Sequence, residues 1–239
     1  MKGKEKLVSH LLLFEEKRKK GFDVAPSQRQ EYADAIAKCF MPCAQHILAG
    51  CFKVYNGYTN RIVRPTAIEL YYHEEGAGGF KDPIMYHTQD RKEQYLTSRG
   101  ITMLPYFPIG SMNPHTSGID ITFENPLAQY RASFLIREYE LICDDGSPIQ
   151  VKNSTDIYDD MLINGITLDD ADWIEWCEGK VLPADMIERK WRRNVAEYVE
   201  CGGVWKKNDI IDGRDSFSIS GARYVKCPFG WQFRIKNTL

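Results

Sequence analysis

At 239 residues, with 43% hydrophobic and 27% charged side chains, the chain is long enough to bury a substantial core and too balanced for pervasive disorder. No run approaches the roughly 20 apolar residues that cross a bilayer, and the early run Leu11–Phe14 is shorter than a signal-peptide core of about 7–15 residues, so a cytoplasmic protein with no membrane partner is expected. The net charge of −2 does not advertise a polyanion partner, but residues 1–65 carry 12 Lys/Arg against 6 Asp/Glu and residues 141–190 carry 4 against 12, so one face can still be basic.

The first third, to about residue 55, reads as helical. Leu7, Leu11 and Phe14 share a helical face, the basic run Lys17, Arg18, Lys19, Lys20 follows, and Gly21 stops the helix. Ser27 with Gln30 fits a capping box for a second helix through Ala33, Ile36 and Phe40, which Pro42 kinks or ends. Strands are predicted at Thr66–Tyr72, Ile119–Phe123 and Arg131–Ile142, with Asp145-Gly146 turning into a return over Pro148–Lys152. Thr155 precedes a short helix. Pro183 starts another, carrying Met186, Trp191, Val195 and Tyr198. Strands at Arg223–Val225 and Trp231–Ile235 close the chain around Pro228-Phe229-Gly230. Helices and strands in blocks, without βαβ alternation, predict an α+β single domain over residues 1–239, with a mostly antiparallel curved sheet flanked by helices. The core of that domain would run from residue 60 onward.

From His73 to Gly118 there are 6 Gly, 4 Pro and 3 of the 5 His, with no clear periodicity. Connections longer than about 12–15 residues in a compact domain are usually functional or disordered. Function is the reading preferred here. Glu69 sits among apolar neighbours in Ala67–Tyr72, where burial would raise its pKa and suit it to general-base work. Arg137 lies in the most hydrophobic strand, and arginine is rarely buried without a partner. The pair would hold a water between them. The bland alternative is a structural salt bridge or two solvent-facing side chains.

His87 is a candidate for a phosphate or base edge, although a structural histidine fits as well. The polar segment Gly110–Asp120 supplies Ser111, Asn113, His115, Thr116, Ser117 and Asp120 on what reads as a loop, with His115 and Asp120 a candidate base–orienter pair. Seven cysteines, an odd number, read as free thiols. Cys39, Cys43, His46 and Cys51 lack the paired spacing of a zinc ribbon, so no metal and no cofactor are expected.

In order, four pieces resemble the alkyladenine (3-methyladenine) DNA glycosylase family: Ile68-Glu69-Leu70-Tyr71, Asp82-Pro83 with His87, Gly110–Gly118 leading into Ile119-Asp120, and Phe134–Glu140. Arg223–Arg234 is loosely similar to that family's closing strand. The resemblance spans about residues 60–150. It implies a DNA N-glycosylase with Glu69 as general base, Arg137 holding the attacking water, and Tyr71 and His87 lining the pocket of a flipped base. It implies DNA as partner and no obligate protein partner. The family's stacking and wedging aromatics have no counterpart, Pro114, His115 and Ser117 standing in their place. Tyr71, Tyr72, Tyr86, Tyr106 and Phe107 are available for stacking. Two other readings stand beside this one: a nucleic-acid-binding protein without catalysis, and a hydrolase of another class using His115 and Asp120 on a small ligand.

Overall fold

The computed structural model describes residues 1–55, 60–82, 85, 87–89, 97–115, 117–161, 173–192, 198–201, 204–207, 216–219, 222–225 and 229–236; Pro83, Tyr86, Thr116, Val195 and Pro228 lie outside them. Helix α1 (Lys4–Arg18) buries Leu7, Leu11 and Phe14, as their spacing predicts. Helix α2 (Arg29–Ala49) departs from expectation twice. Gln28 is its N-cap and no side chain caps it, so the box on Ser27 and Gln30 does not form. The helix also runs through Pro42. Its apolar face continues across the proline, burying Ile36, Phe40, Cys43, Ala44 and Ile47. An interior proline costs about 3 kcal/mol, whereas each fully buried Ile or Phe contributes about 1.5–3 kcal/mol, so packing wins.

The strands are β1 (Cys51–Tyr55), β2 (Asn60–Glu74), β3 (Met112–His115), β4 (Gly118–Thr122), β5 (Tyr130–Cys143), β6 (Gln150–Asn153), β7 (Ile174–Cys177), β8 (Ile187–Lys190), β9 (Tyr198–Cys201), β10 (Val204–Lys207), β11 (Ser216–Ile219), β12 (Ala222–Val225) and β13 (Gln232–Ile235). Nine of them form one sheet in the order β3-β4-β5-β2-β1-β7, with β13 joining β2 to β8 and β6 beside β5. The sheet is antiparallel and strongly curled, and the fold is mixed α+β. β9–β10 and β11–β12 are separate hairpins.

Three expectations are corrected. Residues 51–55 are a strand rather than helix. The helix expected after Pro183 is one 3-10 turn, Ala184–Met186, followed by β8, because Ile187–Lys190 pairs with β13 and sheet pairing overrides a weak helical pattern. The Gly110–Asp120 loop is the β3–β4 hairpin, with Pro114 on the outermost strand, where a missing N–H is tolerated. The turn after residue 145 and the return strand β6 form as predicted. After it comes a 3-10 turn, Ser154–Asp156, and the short helix α3 (Ile157–Met161).

Side-chain alternation along the strands divides the sheet into two faces. Ile68, Leu70, Tyr72, Ile121, Phe134 and Phe233 join the helices in the main core. On the opposite face Tyr71, Leu135 and Met85 form a second, small apolar cluster among charged neighbours. Among the described residues no helix is long and apolar enough to cross a membrane.

Candidate functional site

β2 and β5 are the two longest strands, and their pairing slips at one level. The register passes from Ile68↔Ile136 to Ala67↔Glu138, leaving Arg137 as the extra residue of a bulge. A second slip skips residue 66 between Pro65 and Ala67. Bulges bend a strand and re-aim a side chain. Here Arg137 stays on the face that Leu135 shares with Glu69, and the extra residue returns Tyr139 and Leu141 to the core side.

Glu69 has no exposure and Arg137 has 5%. Arg137 Nη2 donates to Glu69 Oε2 at 2.5 Å, which leaves no room for the intervening water expected from the sequence. Tyr71 Oη donates to the same oxygen at 3.1 Å, and Gln232 Nε2 donates to Oε1 at 2.9 Å. Gln232 faces Glu69 directly across the β13–β2 pairing. Arg137 Nη1 reaches Ser154 Oγ at 3.4 Å. Burial pulls the Arg137 guanidinium down, but the hydrogen bond and charge of Glu69 hold it above its ordinary value. Burial, then the Glu69 charge, pushes the Tyr71 phenol well above its ordinary value, so it stays a neutral donor.

Asn113, His115 and Asp120 occupy the β3–β4 hairpin, where Asn113 sits opposite Asp120. Asp120 in turn pairs with Leu135, which pairs with Glu69. Asp120 is thus two strands from Glu69, about 10 Å at the usual spacing, and its charge acts on Tyr71. His115 Nε2 lies 3.2 Å from Asp120 Oδ2, and His115 Nδ1 accepts the Ser117 N–H at 3.2 Å. The Ser117 N–H thus occupies Nδ1 while Nε2 faces the Asp120 carboxylate, an arrangement that fastens the hairpin. Gly118 closes the turn with φ 136, and a Cβ there would come within 2.9 Å of Leu135 Cδ1 and 3.0 Å of the Ser154 carbonyl.

His87 is not brought to this group. Its Nδ1 lies 3.1 Å from Glu124 Oε1 and its ring lies 4.3 Å from that of Phe107. Glu124 is paired with Arg131, which is six residues from Arg137, about 20 Å along β5. The stacking candidates divide as well. Tyr72 points into the helical core, bonding Glu74 and accepting from Arg18 Nε. Tyr106 carries the Arg131 guanidinium over its ring at 4.0 Å. Tyr71 alone among those described reaches Glu69.

Sequence reasoning missed Gln232 and Ser154, and it missed Arg192, whose guanidinium grips Asp82 through two bonds of 2.7 and 3.0 Å while lying 5.0 Å over the Tyr71 ring. Alternation in Trp231-Gln232-Phe233 was the available signal for Gln232. The Cys39, Cys43 and His46 group is not a ligand set: Cys43 is buried against the Leu11 carbonyl, and His46 stacks on His10 at 4.1 Å. Cys39, Cys43, Cys51, Cys143 and Cys177 are free thiols. No family model matches this chain, and no curated protein matches it.

Proposed function

We propose that the chain hydrolyses an N-glycosidic bond in nucleic acid, DNA in the first instance, as an alkyladenine-type DNA glycosylase would. The observation that carries this reading is a buried carboxylate, Glu69, fixed by donors from three strands: Tyr71 on β2, Arg137 on β5 and Gln232 on β13. Departure of a base from its sugar builds oxocarbenium character, which a preorganised carboxylate stabilises while it accepts a proton from incoming water. The three donors favour the ionised carboxylate and stop it from rotating. Arg137 therefore positions Glu69 directly. Met85 packs on Tyr71 and Leu135, and its withdrawal would admit an extruded base to the Tyr71 ring. Water and a carboxylate suffice for this chemistry, so the reading requires no cofactor.

A DNA partner fits the exposed Lys17, Lys19 and Lys20 at the end of α1. Arg18 is not among them, being held by Tyr72 and by the ring of Tyr130 at 4.6 Å. A cytoplasmic location follows from the same reading. Hydrolysis by His115 and Asp120 is disfavoured because the Ser117 N–H already occupies His115 Nδ1, the nitrogen that would act as base with Nε2 turned to Asp120.

The test is a panel of DNA duplexes and single strands carrying different base modifications, scored for alkali-labile sites. Wild-type protein is expected to cut at one class of modification. Glu69→Gln is expected to lose at least ~100-fold in rate while keeping its circular dichroism spectrum. A fully active Glu69→Gln variant would remove the proposed base. Binding without cleavage, weakened by neutralising Lys17, Lys19 and Lys20 and by salt, would favour a non-catalytic binding protein.

A further inference from the structure

We infer that Cys51 and Cys177 form a reversible dithiol–disulfide couple, oxidised by a low-molecular-weight disulfide such as glutathione disulfide, which locks the end strand of the sheet. It does not rest on the hydrolytic reading, since Phe52, next to Cys51, pairs with Val63, six residues from Glu69 and about 20 Å away along β2. Cys51 opens β1, Cys177 ends β7, and the two face each other directly across the antiparallel pairing. The Tyr55 N–H donates to the Trp173 carbonyl at 2.7 Å, and hydrogen-bonded pairs recur at every second residue, so Cys51 and Cys177 are such a pair. Their Cα atoms then stand about 5.5 Å apart. Disulfides join Cα atoms roughly 4.4–6.8 Å apart, so the bond closes without a shift of the backbone.

The surroundings hold the two thiols in place and leave them open to a reagent. Alternation buries Phe52, Val54, Ile174 and Trp176, which turns both cysteines to the opposite, half-buried face together with Lys53. Both are free thiols, and neither belongs to the hydrophobic core, whereas Cys43 lies inside it. The register of β7 is clamped from the buried side. The Trp176 ring lies 4.8 Å from that of Phe52 and covers Gly50, where a Cβ would collide with it. The Trp176 N–H donates to the Lys2 carbonyl and the Lys2 N–H to the Ile174 carbonyl, both at 2.9 Å. In the sheet order β7 is the end strand, so a covalent link to β1 fastens an edge that otherwise depends on these contacts.

The charges around the pair give the two sulfurs different parts. Burial, then the charge of Cys177, raises the Cys51 thiol, against the opposing pull of Arg64 and Lys53. The charge of Cys177 is also the largest influence raising Lys53, so that ammonium faces Cys177. Cys177 is therefore the attacking thiol. Its thiolate attacks one sulfur of glutathione disulfide, forms a mixed disulfide and expels one glutathione thiolate. With its charge gone, Cys177 no longer raises Cys51, whose thiolate attacks the Cys177 sulfur and expels the second glutathione. Two protein thiols lose two protons and two electrons, and glutathione disulfide takes up both to become two thiols.

The experiment equilibrates the full chain in buffers of graded reduced-to-oxidised glutathione ratio, quenches it with iodoacetamide and maps the digest by mass spectrometry. A peptide cross-linked between Cys51 and Cys177 is expected, its yield rising with the oxidised fraction and falling again in excess reduced glutathione. Cys51→Ser should stop at the mixed disulfide, with glutathione on Cys177. The oxidised wild-type chain should melt at least ~5 °C higher than the reduced one, a shift that Cys177→Ser loses. Both cysteines lie outside the core, so the serine variants keep the fold, and the wild-type map decides without them. Absence of the cross-link, its formation only after unfolding in urea, or its persistence in excess reduced glutathione overturns the couple. An unshifted melting midpoint in the oxidised wild-type chain overturns the lock. Base excision, scored separately on DNA, is a distinct outcome.

Discussion

Glu69 and Arg137 are more stable as a pair than either is alone. Each is buried, and removing one partner of a buried pair typically costs 3–5 kcal/mol because it strands the other charge. Arg137→Met is therefore expected to lower the unfolding free energy by about that much in urea denaturation. Adding Glu69→Gln to it should return much of the loss, since the stranded charge disappears. Strict additivity of the two changes would show that the 2.5 Å contact carries no coupling. These two residues were legible in the sequence because a charged side chain inside an apolar strand is itself an anomaly. Gln232 was not, because an uncharged polar residue in alternation reads as solvent-facing. His87 and Tyr72 were misplaced for a related reason. Sequence shows which groups can donate or stack, but the sheet face decides which neighbours they meet, and Tyr72 falls on the helical side.

Two elements hold features that run against local preference. Pro42 sits inside α2, where its missing N–H leaves one helical carbonyl without its usual donor. Pro42→Ala is expected to raise stability by up to about 3 kcal/mol, read as a shifted denaturation midpoint with an unchanged slope. A neutral or destabilising result would show that the proline packs or bends the helix to a purpose. Gly118 is the converse case, a residue the hairpin cannot replace. With φ at 136° and atoms of Leu135 and Ser154 within 3.1 Å of where a Cβ would stand, Gly118→Ala should cost about 1–3 kcal/mol and shift Ser154 away from Arg137. The β3–β4 hairpin itself was hidden in the sequence: Asn113, Pro114 and Ser117 are turn residues by composition, and their edge position in the sheet, invisible locally, makes two of them strand. The long strands β2 and β5 were legible from their apolar runs. The bulges beside Arg137 were not, since nothing in Ile136-Arg137-Glu138 marks an extra residue.

At the scale of the whole molecule, blocks of helix and strand were enough to anticipate an α+β fold with an antiparallel sheet. The short strands β1, β7 and β8 escaped notice, because four or five residues carry too little periodicity and owe their conformation to pairing. The same assembly buries tyrosines against acids on both faces of the sheet, which gives the fold a pH dependence. Burial, followed by the charge of Glu69, raises Tyr71; burial, followed by the charge of Glu74, raises Tyr72; burial, followed by a hydrogen bond to Glu15, raises Tyr130. In the unfolded chain each would ionise near pH 10. Below that pH both states keep the proton and the stabilisation is whole. Above it the unfolded chain releases protons that the folded chain retains, so the unfolded state binds fewer and stability falls as pH rises. Each of the three contributes a slope of up to about 1.4 kcal/mol per pH unit once its unfolded form is ionised. Denaturation midpoints should therefore hold steady to about pH 9 and then drop steeply between about pH 10 and 11, with the tyrosinate absorbance of Tyr71, Tyr72 and Tyr130 appearing only as the chain unfolds, above that of exposed tyrosines such as Tyr55. A native-state tyrosinate step near pH 10 that shrinks when Tyr71, Tyr72 or Tyr130 is replaced by Phe, without loss of structure, would mean that these phenols reach solvent and that the packing around Glu69 and Glu74 is looser than described.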